Sequence, residues 1–223
     1  MIRAVGFDLD GTLFDDRQYV RQGLDAAAAE LAHREGVDLR EAFHAAYFDR
    51  DVRDRTFDVV LAEYGIDTDL VPALVEAYHG AEGPLSPDPD AETVLSTLGE
   101  EYRLGVLTGG RNGRSKLERL GLAASVDAVL VTPELGCSKR DVEAFERLFE
   151  ALETAPEEAV YVGDRPDLDV ARPNELGAWT VQVRDSNWPN RPSTPAAEPD
   201  VTIDSIADLP SAIESIERTE SPP

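Results

Sequence analysis

The sequence predicts an α/β protein: a doubly wound, Rossmann-like parallel sheet with a helical domain inserted after its first strand. Three observations predict it. Short, continuously apolar runs recur along the chain, helical stretches separate most of them, and one long stretch is helical throughout. A parallel sheet covered by helices on both faces buries both sides of each strand, so its strands are apolar without alternation.

The first strand is read from Ile2 to Phe7. Leu104 to Leu107, Ala128 to Val131 and Ala159 to Val162 follow as the second, third and fourth, and Thr180 to Val183 and Val201 to Ile203 as two more. Helices are expected over Ala91 to Glu100, Arg114 to Gly121 and Asp141 to Glu153. In the last of these Val142, Phe145, Leu148, Phe149 and Leu152 recur at helical spacing, which marks a core-facing stripe. The stretch from Asp16 to Glu82 holds four helical segments (Val20 to Glu35, Arg40 to Asp51, Thr56 to Tyr64, Leu70 to Ala81) and no convincing strand. Gly83-Pro84 and Ser86-Pro87-Asp88-Pro89 punctuate the return to the sheet. Residues 1–15 and 83–217 are therefore expected to form the core and residues 16–82 the insert. Asp185 to Pro199, rich in Pro, Ser and Asn, reads as a surface loop, Ser205 to Glu217 as a closing helix, and residues 218–223 as a flexible tail.

A chain of 223 residues with 42% hydrophobic content can bury a sizeable core. Its formal charge of −24 disfavours nucleic acid and anionic lipid as partners. Of its 21 basic residues only Lys116 and Lys139 are lysines. An acidic excess with scarce lysine suits concentrated salt, where at about 1 M the Debye length falls to about 3 Å and surface carboxylates hardly repel one another. The plainer reading is an ordinary acidic protein of the cytosol. Cys137 is alone, which leaves no intrachain disulfide and no cysteine-based zinc site. No charged-then-apolar leader is visible, and no apolar run approaches the roughly 20 residues of a membrane span. A cytoplasmic protein acting as monomer or homodimer is expected.

In open parallel sheets ligands bind beyond the carboxyl ends of the strands. Asp8 and Asp10 close the first strand, and Thr108-Gly109-Gly110 the second. Lys139 follows the third in Gly136-Cys137-Ser138-Lys139, and Asp164 closes the fourth in Val162-Gly163-Asp164-Arg165-Pro166-Asp167-Leu168-Asp169. Taken singly, each has a plain explanation. Asp8 could be a turn residue, Thr108 with two glycines a loop, Lys139 a solvated side chain, and Asp164 and Asp169 helix caps. Four polar signals arriving at one rim are poorly explained that way. Converging carboxylates repel and raise one another's pKa values unless a cation balances them. Mg²⁺, a hard cation with oxygen ligands, meets that need, and Lys139 adds a second positive charge. Together with the Thr108 hydroxyl and the Gly109 and Gly110 amides, they would clamp a phosphoryl group.

The motifs Asp8-Leu9-Asp10-Gly11-Thr12-Leu13, Leu107-Thr108-Gly109, Ser138-Lys139 and Gly163-Asp164 with Asp169 resemble those of the haloacid dehalogenase superfamily, in the branch whose helical cap follows the first strand. Lys116-Leu117-Glu118-Arg119-Leu120-Gly121-Leu122 and Pro156 to Asp164 also look like that branch, so the resemblance covers nearly the whole core. The insert matches only in position and helical character. The resemblance implies that Asp8 attacks phosphorus and that Asp10 protonates the leaving oxygen and then activates water. It implies Mg²⁺ on the carboxylates of Asp8 and Asp164 and the backbone carbonyl of Asp10, with Asp169 in the outer shell. Thr108, Gly109 and Lys139 would bind the phosphoryl oxygens, and Thr12 would support the first loop. Four departures from the family pattern stand out: Gly109 where Asn is frequent, Arg140 where Pro usually follows the lysine, Arg165-Pro166 after Asp164, and Pro173, which suggests a shortened or broken helix.

Within the family the expected activity is hydrolysis of a small phosphorylated metabolite. Dehalogenases lack the second aspartate, which here is Asp10. Phosphonate-cleaving members need a cap lysine, and the insert has none. A phosphosugar mutase on the same core stays open, as does a non-catalytic regulatory relative, although no expected catalytic side chain is missing. A phospho-signalling receiver is excluded by the chain order of Asp, Thr, Lys and Asp. The cap is expected to select substrate, with Arg17, Tyr19, Arg21 and Arg50 as candidates beside His44, Tyr47, Arg53 and Arg55. The plainer reading pairs most of those arginines with surface acids.

Overall fold

Each apolar run named above becomes a strand, and every strand runs parallel to its neighbours. The computed structural model describes residues 1–184 and 192–219. The strands are β1 (Ala4–Phe7), β2 (Arg103–Thr108), β3 (Ala128–Val131), β4 (Ala159–Gly163), β5 (Trp179–Val183) and β6 (Val201–Ile203). They lie in the order β3-β2-β1-β4-β5-β6, all parallel. That order reverses direction between β1 and β4, which is where a doubly wound sheet opens a crevice for a ligand. Asp8 follows the last residue of β1 and Asp164 the last residue of β4, so both flank that crevice.

The helices are α1 (Arg17–Glu35), α2 (Arg40–His44), α3 (Thr56–Glu63), α4 (Val71–His79), α5 (Ala91–Leu98), α6 (Gly113–Arg119), α7 (Thr132–Leu135), α8 (Val142–Ala151), α9 (Ala171–Leu176) and α10 (Leu209–Glu217). Two compact units result: residues 1–15 with 86–223, and residues 16–85.

In the first unit α8 lays its stripe on the sheet. Phe145, Leu148, Phe149 and Leu152 are buried with Ala4, Leu107 and Tyr161, while Val142, at the start of the stripe, is half-buried. The Phe145 ring meets Tyr161 edge-on at 4.9 Å, and the Tyr161 hydroxyl donates to the Leu107 carbonyl at 3.2 Å. Burying such aromatic area contributes about 1.5–3 kcal/mol per side chain, and here it fixes β1, β2 and β4 beneath the crevice.

The second unit has its own core of Leu24, Leu31, Phe43, Val60, Leu61 and Leu74, with Phe43 and Phe57 edge-on at 5.1 Å. α1 packs against α4. The expected continuous helix from Arg40 to Asp51 is interrupted: α2 passes into a π-helical turn at Ala45–Asp49, and Asp51 takes a left-handed φ of 57°. Pro173 falls in α9, which has only six residues and follows a π-helical turn at Pro166–Val170, in keeping with the shortened helix expected there. Of the loop read over Asp185 to Pro199, residues 185–191 lie outside the described residues; the part from Pro192 on carries a 3-10 turn at Pro195–Ala197 and no strand or α-helix. Of the tail, only Arg218 and Thr219 fall inside the described residues. Among the described residues no helix is long and apolar enough to cross a membrane.

Candidate active site

The loop after β1 turns tightly, and its geometry aims two carboxylates. The Asp8 N–H donates to the Val162 carbonyl at 2.8 Å, which continues the pairing of β1 with β4 for one more residue. The Leu13 N–H then donates back to the Leu9 carbonyl at 3.0 Å, and Gly11 N–H to the Phe14 carbonyl at 3.0 Å. Gly11 sits at φ 85°, and a Cβ there would stand 2.7 Å from Asp164 Oδ2. Glycine is needed twice over, once for the left-handed backbone and once for room beside the carboxylate. The Thr12 hydroxyl, although buried, has no hydrogen-bond partner among the described residues. The backbone N–H of Thr12 lies 3.4 Å from the Leu9 carbonyl.

Asp8, Lys139, Asp164 and Asp169 are brought together in the crevice, all buried. Lys139 Nζ donates to Asp8 Oδ1 at 2.5 Å and to Asp169 Oδ1 at 2.7 Å. Asp169 is held in turn by the Arg165 N–H, which donates to its Oδ2 at 3.0 Å. Carboxylate oxygens of Asp8, Asp164 and Asp169 all lie within 4.8 Å of one another. Burial pushes the Asp8 carboxyl up to about 7, with Lys139 opposing and Asp169 and Asp10 adding to the rise. Burial also disfavours the Lys139 ammonium, yet Asp169 and Asp8 outweigh it and hold that group well above its usual range. Three buried carboxylates, two of which share the one ammonium of Lys139, carry a formal excess of negative charge when ionised. A donor set made wholly of hard oxygens with that excess fits a divalent cation of the Mg²⁺ kind.

The Lys139 loop is stiffened without the proline that the family pattern would put after it. Ser138 N–H donates to Asp141 Oδ2 at 2.8 Å, Arg140 N–H to Ser138 Oγ at 3.2 Å, and Arg172 Nε to the Arg140 carbonyl at 2.8 Å. Those Ser138 hydrogen bonds also hold the Asp141 carboxyl below its ordinary value.

Asp10 stands beside this group, its side chain 24% exposed. Its Oδ2 accepts from the Thr108 hydroxyl at 3.3 Å, at the end of β2. The Gly110 N–H, expected to face a phosphoryl group, donates instead to Thr108 Oγ1 at 3.2 Å, because the chain turns back after β2 to start α6. Gly109 has open space where a Cβ would stand, so Gly in place of Asn creates no local conflict.

One residue of this arrangement was not singled out from the motifs. Lys116, on α6, is buried, and its Nζ donates to Asp10 Oδ1 at 2.5 Å. Two signals pointed to it: Lys116 opens the segment through Leu122 that resembles the family branch, and the two lysines of the chain are the two ammonium groups that reach Asp8 and Asp10.

The cap candidates lie in the second unit. Tyr19 is buried, with its hydroxyl 3.2 Å from His79 Nδ1. Arg21 stacks over the Phe48 ring at 4.4 Å, and Arg17 heads α1. Arg50 donates to Glu63 at 2.7 Å, Arg53 pairs with Asp51 at 2.6 Å, and Arg55 lies 3.9 Å from Asp58. His44 sits 3.0 Å from Asp25, and Tyr47 lies beneath Arg53. Arg50, Arg53 and Arg55 thus follow the plainer reading of arginines neutralising surface acids.

Known proteins bear on this geometry. A family model described as haloacid dehalogenase-like hydrolase matches residues 2–172. A glyceraldehyde 3-phosphate phosphatase of Methanopyrus kandleri is 33% identical, over 94% of this chain and 96% of that protein. Two solved structures superpose with a TM-score of 0.68 at 25% identity. A HAD phosphatase from Thermococcus onnurineus does so over 95% of this chain and 98% of its own, and a 2-haloacid dehalogenase from Pseudomonas syringae over 97% and 100%. The fold therefore accommodates both chemistries and does not by itself choose between them.

Proposed function

The chain belongs to the haloacid dehalogenase-like hydrolases and is an enzyme, and from that premise we propose that it is a magnesium-dependent phosphatase of small phosphomonoesters, working through an aspartyl-phosphate on Asp8. The observation that carries this reading is Asp10, two residues beyond the nucleophile and with Oδ2 3.3 Å from the Thr108 hydroxyl. A carbon–halogen bond breaks to release halide, which needs no proton donor. An alkoxide leaving from phosphorus does need one, and the acyl phosphate left behind needs a base to activate water.

In the proposed reaction Lys139 holds Oδ1 of Asp8, which leaves the other carboxylate oxygen to attack phosphorus. The bond to the leaving oxygen breaks as Asp10 gives up its proton. Asp10 then takes a proton from the water that hydrolyses the phosphoenzyme, and both aspartates return to their starting state. Thr108, the Gly109 amide and Lys139 bind the phosphoryl oxygens. Asp8, Asp164 and the Asp10 backbone carbonyl would hold magnesium, with Asp169 in an outer position and Thr12 packed under the loop. When bound, the ion neutralises charge on the phosphoryl group and keeps Asp8 ionised. Arg17 and Arg21 are the cap residues proposed to select substrate, ahead of Arg50, which Glu63 occupies.

Glyceraldehyde 3-phosphate, named for the Methanopyrus relative, heads the substrates to test, beside a generic aryl phosphate. Hydrolysis is expected to require Mg²⁺, to vanish in Asp8→Asn, and to slow in Asp10→Asn while phosphate still binds. Full activity in Asp8→Asn sinks the nucleophile assignment. Recovery of an isomerised sugar phosphate alone would move the reading to a mutase.

A further inference from the structure

We propose that Lys116 is a positioning residue for the acid–base aspartate, holding Asp10 by one oxygen so that the other faces the reacting phosphoryl group. This rests on the phosphatase reading above.

The geometry is specific. Asp10 lies on a loop beyond the end of β1 with its side chain 24% exposed, so nothing in the strand fixes its rotamer. Its Oδ1 accepts from Lys116 Nζ at 2.5 Å, and its Oδ2 accepts from the Thr108 hydroxyl at 3.3 Å. Thr108 is the proposed phosphoryl ligand, which makes Oδ2 the oxygen that exchanges protons with leaving group and water. Without the ammonium on Oδ1 the carboxylate is free to turn about its terminal bond and present either oxygen, or neither. General acid–base transfer needs the proton and its acceptor within hydrogen-bond reach, so a loose rotamer slows the step without weakening substrate binding.

Lys116 is itself held. It lies on α6, where its backbone N–H donates to the Asn112 carbonyl at 2.8 Å, its side chain is 7% exposed, and its ammonium is 5.8 Å from the centre of the Phe14 ring. Gly110 completes the arrangement. A Cβ at that position would stand 3.1 Å from Lys116 Nζ, 3.2 Å from Asp10 Oδ2 and 3.7 Å from Thr108 Oγ1, so the three polar atoms close around a bare Cα. The pattern repeats the clamp on the nucleophile, where Lys139 holds Oδ1 of Asp8 at 2.5 Å. In a chain whose other 19 basic residues are arginines, each aspartate of the pair has its own buried lysine. An ammonium delivers one compact point charge to a single oxygen, whereas a guanidinium fork tends to engage both.

Lys116→Met keeps the length and apolar stem and removes the charge, and Lys116→Arg restores a cation in a different shape. Both are compared with the wild type and with Asp8→Asn and Asp10→Asn, using p-nitrophenyl phosphate and an alkyl phosphate. The methionine variant is expected to lose about 10- to 100-fold in kcat on the alkyl phosphate with KM within about twofold, the signature of a group acting in the transition state. On p-nitrophenyl phosphate, whose leaving group needs no proton, it should keep a burst of nearly one equivalent of nitrophenolate before slow turnover. Formation of the phosphoenzyme then proceeds while its hydrolysis, which needs Asp10 as base, lags. The arginine variant should recover part of kcat.

Unchanged kcat in Lys116→Met overturns the proposal. So does a rise in KM alone, which would make Lys116 a substrate ligand. Equal losses on both substrates without a burst, accompanied by a lower melting temperature, would reduce it to a structural residue. If Asp8→Asn is inactive and Asp10→Asn slow while Lys116→Met behaves as wild type, only the role of Lys116 fails. If Asp8→Asn is active, the phosphatase reading fails first.

Discussion

Replacing Lys139 by methionine removes the ammonium that Asp8 and Asp169 share at 2.5 and 2.7 Å, in a place where the lysine side chain is 7% and that of Asp169 1% exposed. Methionine matches the stem in length and is apolar, so little cavity opens and the loss is electrostatic. Breaking a buried pair from one side costs about 3–5 kcal/mol, because the remaining charge is left without compensation. Asp8 softens this. Burial already pushes its carboxyl up to about 7, against the pull of Lys139, so without the lysine it takes up a proton near neutral pH. Asp169 retains the Arg165 N–H. The lower end of the range is therefore expected in metal-free protein above neutrality, about 3 kcal/mol, or a fall of about 6–12 °C in melting temperature for a chain of this size.

The penalty should shrink as pH falls, since a carboxyl with a raised folded pKa binds more protons in the native than in the unfolded state. Thermal unfolding followed by circular dichroism, with EDTA and with Mg²⁺ at two pH values, measures both effects. Magnesium should recover part of the loss by bringing a second cation to the same carboxylates. An unchanged melting temperature in EDTA above neutrality, or a loss that grows on acidification, would refute the reasoning.

Other outcomes follow from the same geometry. In metal-free protein Asp8, at about 7 folded against 3.8 ordinarily, keeps a proton that the unfolded chain has released. Its contribution to stability thus falls as pH rises from about 4 to about 7 and is flat above. Mg²⁺ binding at slightly acid pH should release close to one proton and, well above pH 7, almost none; calorimetry in buffers of different ionisation enthalpy would detect either, and no release on the acid side defeats the assignment. Gly11→Ala combines a left-handed φ of 85° with a Cβ 2.7 Å from Asp164 Oδ2. It should weaken Mg²⁺ binding about tenfold or more, since the backbone strain alone is worth about 1–2 kcal/mol; unchanged affinity by titration would show that the loop has room to shift. With a formal charge of −24, the melting temperature should climb between about 0.1 and about 1 M KCl as self-repulsion is screened. A flat or falling curve would count against salt adaptation.

Part of this site is legible in one dimension because parallel-sheet topology makes it so. A fully buried strand must be continuously apolar, and its carboxyl end must open at the rim. Asp8 after Phe7, Thr108 after Leu107 and Asp164 after Gly163 could therefore be assigned to a common edge before any coordinates. Lys116 could not. Its neighbours Ser115 and Leu117 describe an ordinary amphipathic helix, and its meeting with Asp10, 106 residues away, depends on how α6 returns over the end of β2. The direction of the Gly110 N–H was hidden for a similar reason, since a glycine pair permits several turns and only the start of α6 selects one. In the insert, residue type suggested substrate contacts that Arg50 and Arg53 do not need, because Glu63 and Asp51 engage them locally.

The sequence by itself determined the class of the sheet, the position of the insert and most of the polar groups that meet at its rim. All three depend on periodicity and on motifs a few residues long, which are local properties of a chain. The tertiary structure decided which oxygen of each aspartate an ammonium holds. Lys139 takes Oδ1 of Asp8 and Lys116 takes Oδ1 of Asp10. A carboxylate has two equivalent oxygens until a neighbour distinguishes them, and here the distinguishing neighbours arrive from distant helices and loops that only the packed core brings to that rim.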